Sequence, residues 1–220
     1  MRNSILILIA CLHVYQGKTQ GGGGFEQLYY MRSSQGATVV PMVHYTSKNN
    51  WYGEARYNYD EAQTFALYGG KTFSRKGTLS YSATPVLGGL MGRMNGGSVG
   101  MNMDLGFENL FFSSQSQYTF SLEQKTDKYF FSWTELGYQA TPWLYGGMAL
   151  QQTSLFQSAA KFEPGCMIGF SLRNWTVPVY IFNQAGGEAY FVLGINWVWE
   201  SQKKINKLPP LAITTPEQLK

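Results

Sequence analysis

Charge is scarce in this chain. Only 14% of its 220 residues are Asp, Glu, Lys or Arg, against the roughly 25% usual in soluble domains. Cysteine and histidine number two each, too few for a disulfide framework or for clustered metal ligands. No run of about 18 apolar residues follows the N-terminus, which excludes a helical membrane span. The net charge of +4 comes with no basic stripe, so nothing points to nucleic acid. What the chain has instead is rings and glycine. Aromatics reach 16%, with fifteen Tyr, fourteen Phe and six Trp beside twenty-five Gly. Mean hydropathy is nevertheless slightly negative, at −0.21.

Alternation reconciles these facts. Val99, Met101, Met103, Leu105 and Phe107 fall on one face of an extended segment; Ser98, Gly100, Asn102, Asp104 and Gly106 fall on the other. A period of two is a β-strand with one apolar and one polar face. Turn signals cut the chain into similar segments. They run over 25–32, 37–46, 51–60, 64–73, 79–87, 98–107, 110–123, 129–138, 143–153, 166–172, 175–182 and 188–199, with 88–97 as a longer Gly-rich hairpin. The pattern predicts an all-β, antiparallel, up-and-down transmembrane β-barrel of twelve strands. Ten is the alternative, since single-chain barrels of this kind need an even number.

Facing separates lipid from core. In 51–60, Glu54, Arg56 and Asp60 share a face with Tyr52 and Asn58, opposite Trp51, Gly53, Ala55, Tyr57 and Tyr59. Mixed charges on one face suit a barrel lumen, where neighbouring strands can pair them. The opposite face carries Lys71 only near a strand end. Trp51, Tyr59, Tyr129, Trp143, Trp175, Trp197 and Trp199 gather near strand ends, as interfacial girdles do.

Both ends of the chain differ from the middle. Residues 1–19 read as an export signal, with Arg2 in the n-region and a short apolar stretch from Ile5 to Leu12. A lipoprotein-type box at Leu8-Ile9-Ala10-Cys11 is the competing reading, with Cys11 as a lipid anchor. Residues 20–24 form a Gly-rich lead-in, and 25–199 the barrel. Residues 200–220, with four Lys, three Pro and no aromatic, read as a disordered periplasmic tail.

The run Gly194-Ile195-Asn196-Trp197-Val198-Trp199 resembles the C-terminal signal of Gram-negative outer-membrane barrels. Val192 stands where that signal usually carries a polar residue, and the chain continues past Trp199. Asn50-Trp51-Tyr52-Gly53-Glu54-Ala55-Arg56-Tyr57-Asn58-Tyr59 is similar to strands of small barrels of that class and brings no activity with it. The resemblance implies residence in the cell outer membrane. It also implies outer-membrane lipids and the barrel-assembly machinery as partners, with Gly194, Trp197 and Trp199 as the assembly signal.

Three functions fit. The first is a narrow pore or solute-binding barrel for small solutes. Its lumen is lined by Glu54, Arg56, Asn58, Asn102, Asp104, Gln115, Gln117, Thr119, Glu135, Gln151 and Thr153. The second is a closed barrel, structural or a subunit of an envelope complex. The third is a lipid hydrolase with His44 as general base and Ser47 as nucleophile, although alternation puts these two on opposite faces. No motif calls for a cofactor or metal. The Gly-Lys-Thr runs at Gly17 and Gly70 lack the earlier glycine of a phosphate loop.

Overall fold

The structure is a computed structural model that describes residues 21–32, 36–123, 128–155, 159–183 and 188–200. The export signal and the 200–220 tail, Glu200 apart, lie outside the described residues. In chain order the strands are β1 (Gly22–Arg32), β2 (Gly36–Thr46), β3 (Trp51–Tyr57), β4 (Thr64–Lys71), β5 (Phe73–Arg75), β6 (Leu79–Gly92) and β7 (Gly96–Phe107). They continue with β8 (Leu110–Ser121), β9 (Lys128–Thr141), β10 (Leu144–Leu155), β11 (Lys161–Leu172), β12 (Trp175–Phe182) and β13 (Tyr190–Glu200). Each pairs antiparallel with its neighbours, and β1 pairs with β13 from Gly22↔Glu200 to Met31↔Phe191. That last pairing leaves the sheet without an open edge, as lipid requires of a strand-built span.

Twelve wall strands result, because β4 and β5 are one strand with a break. Both pair with β6, and the break at Thr72 lies opposite Thr84 and Pro85. Pro85 has no N–H to offer the ladder, and the Thr72 amide donates to the Asn50 carbonyl instead, at 2.9 Å.

Several boundaries differ from the sequence expectation, and rings over glycines explain most of them. β1 begins at Gly22, so most of the expected lead-in is strand. The His44 ring lies over Gly24 and the Trp199 ring over Gly23, in space that any Cβ would occupy. The expected 88–97 hairpin is strand as well, with its turn confined to residues 93–95. There the Tyr68 ring covers Gly88 and the Phe120 ring covers Gly97. Glycine in these strands is a seat for an aromatic neighbour, which offsets its poor strand propensity.

Alternation holds around the wall. In β7, Ser98 and Asn102 are buried inside while Val99, Met103 and Phe107 face out. The outer surface is apolar, with Leu87 68% and Met148 67% exposed. Trp51, Trp143, Trp175, Trp197 and Trp199 lie at the end of the barrel that holds both Gly22 and Glu200, with Trp175 and Trp197 stacked at 6.0 Å. Tyr59 and Tyr129 do not join this girdle. β3 stops at Tyr57, Asn58 takes a left-handed φ of 60°, and the chain turns inward with Tyr59. Tyr129 shares its face of β9 with the inward Trp133 and Glu135.

Candidate functional site

The β3–β4 connection, residues 58–63, folds into the barrel instead of over it. Asn58 anchors the bend: its side-chain amide donates to the Val39 carbonyl at 3.1 Å and its Oδ1 accepts from the Gln63 amide at 2.7 Å. Tyr59 then donates to Gln115 Oε1 at 3.0 Å. Asp60 Oδ1 accepts from Tyr68 OH at 2.7 Å and from Gln117 Nε2. Tyr129 OH donates to the Asp60 carbonyl. Gln115 and Gln117 belong to β8, four wall strands away from β3 in the closed sheet, so the connection spans the bore. Burial pushes the Asp60 carboxyl above its usual range, although Arg56 and the two side-chain bonds pull the other way.

Arg56 occupies the layer beside this connection. It is 2% exposed and donates to Glu54 and, at 2.6 Å, to Gln117 Oε1. Its guanidinium lies 4.6 Å from the Tyr59 ring centroid and 4.5 Å from that of Tyr68. Glu54 also accepts from Tyr52 OH at 2.5 Å, so the buried charge is hydrogen-bonded as well as paired. Desolvated pairs of this kind hold only with such additional bonds.

The other expected lumen residues are placed as follows. Asn102 reaches Tyr52 OH at 3.4 Å, and Asp104 accepts from Ser113 at 3.0 Å. Glu135 accepts from Trp133 Nε1 and Tyr180 OH, both at 2.7 Å. Gln151 donates to Glu163 at 3.2 Å, and Thr119 is buried against Ser98. Thr153 lies half-buried near the far end of β10. Asn58 is the exception: it leaves the wall and caps the connection at the mouth, because its left-handed backbone ends the alternation.

Two inward groups escaped sequence reasoning. Glu26, in the expected first strand 25–32, is buried inside. An apolar cluster inside the barrel, drawn from β1, β2 and β10 to β13, contains Leu28, Tyr145, Tyr180, Phe182 and Tyr190, with Tyr30 and Trp133 packed on it. Tyr30 of β1 meets Trp133 of β9 edge-on at 6.4 Å, across the bore. Counting aromatics on both faces of each strand, rather than only on the presumed lipid face, would have revealed it.

His44 points inward, stacked on Tyr52 at 6.1 Å. Ser47 lies in the turn, where its hydroxyl accepts from the Trp51 amide. Among the described residues His44 and Ser47 do not meet, as their opposite faces implied, so the third function gains no dyad here. In β13, Gly194 sits inside against Pro178 and Leu28, while Trp197 and Trp199 face out and pair in register with Phe25 and Gly23 of β1.

A cavity of about 310 Å³ opens at the far mouth, lined by Tyr30, Arg32, Thr38, Tyr59, Phe131 and Gln151 among others. Its floor is the inward connection and the rings around it.

No protein-family model and no curated protein matches this chain in sequence. Solved structures do match in shape. A KdgM porin aligns over 79% of this chain and 98% of its own, with TM-score 0.56 and 12% identity. A KdgM porin in complex with disordered oligogalacturonate gives the same coverages, TM-score 0.60 and 10% identity. NanC porin covers 80% and 98%, with TM-score 0.52 and 8% identity. The chain therefore has the fold of these porins: a closed, antiparallel barrel of twelve strands.

Proposed function

We propose that this chain is a porin of the Gram-negative outer membrane, with a bore narrowed to small solutes by the β3–β4 connection. The observation that carries the reading is the crossing of that connection from β3 to Gln115, Gln117 and Tyr129. The apolar outer wall and the tryptophans at one end support a membrane setting, and the porin fold supports a channel. A barrel of twelve strands leaves a lumen only where side chains do not fill it. Here the connection and the side-chain layer beneath it set the width. The Gly194–Trp199 run serves as the assembly signal, read as a final strand whose pairing closes the wall.

A closed, structural barrel is the second reading, favoured by the aromatic cluster that meets across the bore. Planar-bilayer recording separates the two. Purified protein is expected to form channels of low conductance. Replacing residues 59–62 by a short Gly-Ser link should raise the single-channel conductance several-fold. Absence of channels in both proteins would establish the closed barrel instead.

A further inference from the structure

The interior charge is one-sided. Among the described residues, seven carboxylates face the bore or belong to its connection: Glu26, Glu54, Asp60, Glu61, Asp104, Glu135 and Glu163. Three cations face them. Lys161, at the rim, pairs with Glu163, and Arg56 pairs with Glu54. Arg32, at the far mouth, lies 4.3 Å over the Tyr190 ring. Glu26, Glu54, Asp104 and Glu135 stand close enough for each of the other three charges to act on Glu26. Arg56 is the guanidinium of that layer, and Glu54 already neutralises it. The layer's other carboxyls, Glu26, Asp104 and Glu135, have no ion-pair partner among the described residues, so an entering cation finds acceptors there in a confined, low-dielectric bore, where field lines are focused.

Two further observations point to an occupant. His44 and Asp60, 5% and 9% exposed, leave Nε2 and Oδ2 without a hydrogen-bond partner. Both belong to the same layer, within electrostatic reach of Glu54 and Arg56. Arg56 itself displays the chemistry the layer accepts, a planar cation held between a carboxylate and the faces of Tyr59 and Tyr68.

We propose that the bore selects cations, and that its solutes are small inorganic and organic cations of the ammonium or guanidinium type. This rests on the porin reading and gives it a substrate class. Rings of carboxylates select cations in other channels by the same physics. The proposal also sets this chain apart from the similar porin solved with oligogalacturonate, a polyanion that this layer would repel.

The test is the reversal potential of single channels in a KCl gradient. The wild type is expected to favour K⁺ over Cl⁻ about tenfold, the lower end of the enrichment a charged cleft produces. Glu135→Gln and Asp104→Asn together should move the ratio toward unity while conductance persists. Heat-modifiable gel migration confirms that the variant barrel is folded, and Glu163→Gln at the rim serves as a second variant with a smaller shift. Conducting wild-type channels that favour Cl⁻, or that show no preference, would overturn the cation assignment and leave the porin reading standing. Absence of channels overturns the porin reading, and the cation bore with it.

Discussion

Arg56→Met is expected to destabilise the folded barrel by about 3 kcal/mol, the lower end of what removing one partner of a buried ion pair costs. The loss has three parts. Glu54, 6% exposed, is left as an uncompensated charge beside Glu26. Gln117 loses a donor at 2.6 Å. The rings of Tyr59 and Tyr68 lose the guanidinium between them. The same principle supplies a sharper test. Glu54→Gln added to Arg56→Met removes the stranded charge, and the double variant should recover most of the loss. Urea midpoints followed by heat-modifiable gel migration measure both. A single variant with the wild-type midpoint would show that the pair contributes no stability, and a double variant worse than the single would reverse the assigned cause.

Gly169→Val should prevent the native barrel from forming at all. The inner wall of β9, β10 and β11 is notched by glycine, and the notches hold rings. The Tyr145 ring lies on Gly169, and the Phe111 ring lies on Gly137. A Cβ at Gly169 would fall within the Tyr145 ring. That ring is closely packed. It is 3% exposed and meets Phe111 edge-on at 5.9 Å, while Phe111 is itself held over Gly137. Overpacking a close-packed core costs about 1–3 kcal/mol where neighbours can shift, and here the first displacement forces a second. Gly53→Ala is the control, since an added Cβ there meets nothing within 4 Å. Gly53→Ala should migrate as wild type on unheated gels, and Gly169→Val should migrate as unfolded. A Gly169→Val barrel with native migration would refute the ring-and-notch account.

Much of this wall was legible in the residue order. Ser98 to Phe107 alternates, and β7 presents the expected faces. Trp175 to Phe182 matches β12 end for end, and twelve strands follow from the turn signals. Where boundaries slipped, the cause was long-range. Gly22 to Gly24 read as a linker because glycine alone has little strand propensity, yet His44 and Trp199 cover two of those positions. Asn58 and Tyr59 illustrate the same limit within one strand. By alternation Asn58 belongs inside and Tyr59 outside, and one left-handed backbone exchanges them.

The sequence by itself determined the class of fold and the face on which each regular strand residue lies, and it narrowed the wall to twelve strands or ten, because those depend on a period of two and on local turn chemistry. Only the tertiary structure decided how the interior is filled. Arg56 meets Gln117 at a separation of 61 residues, Tyr59 meets Gln115 at 56, and Tyr129 meets Asp60 at 69. Contacts at such distances exist only once the sheet has closed, since closure is what brings β3 within a side chain's reach of β8. Alternation tells a residue which way to face; the closed wall decides what it faces.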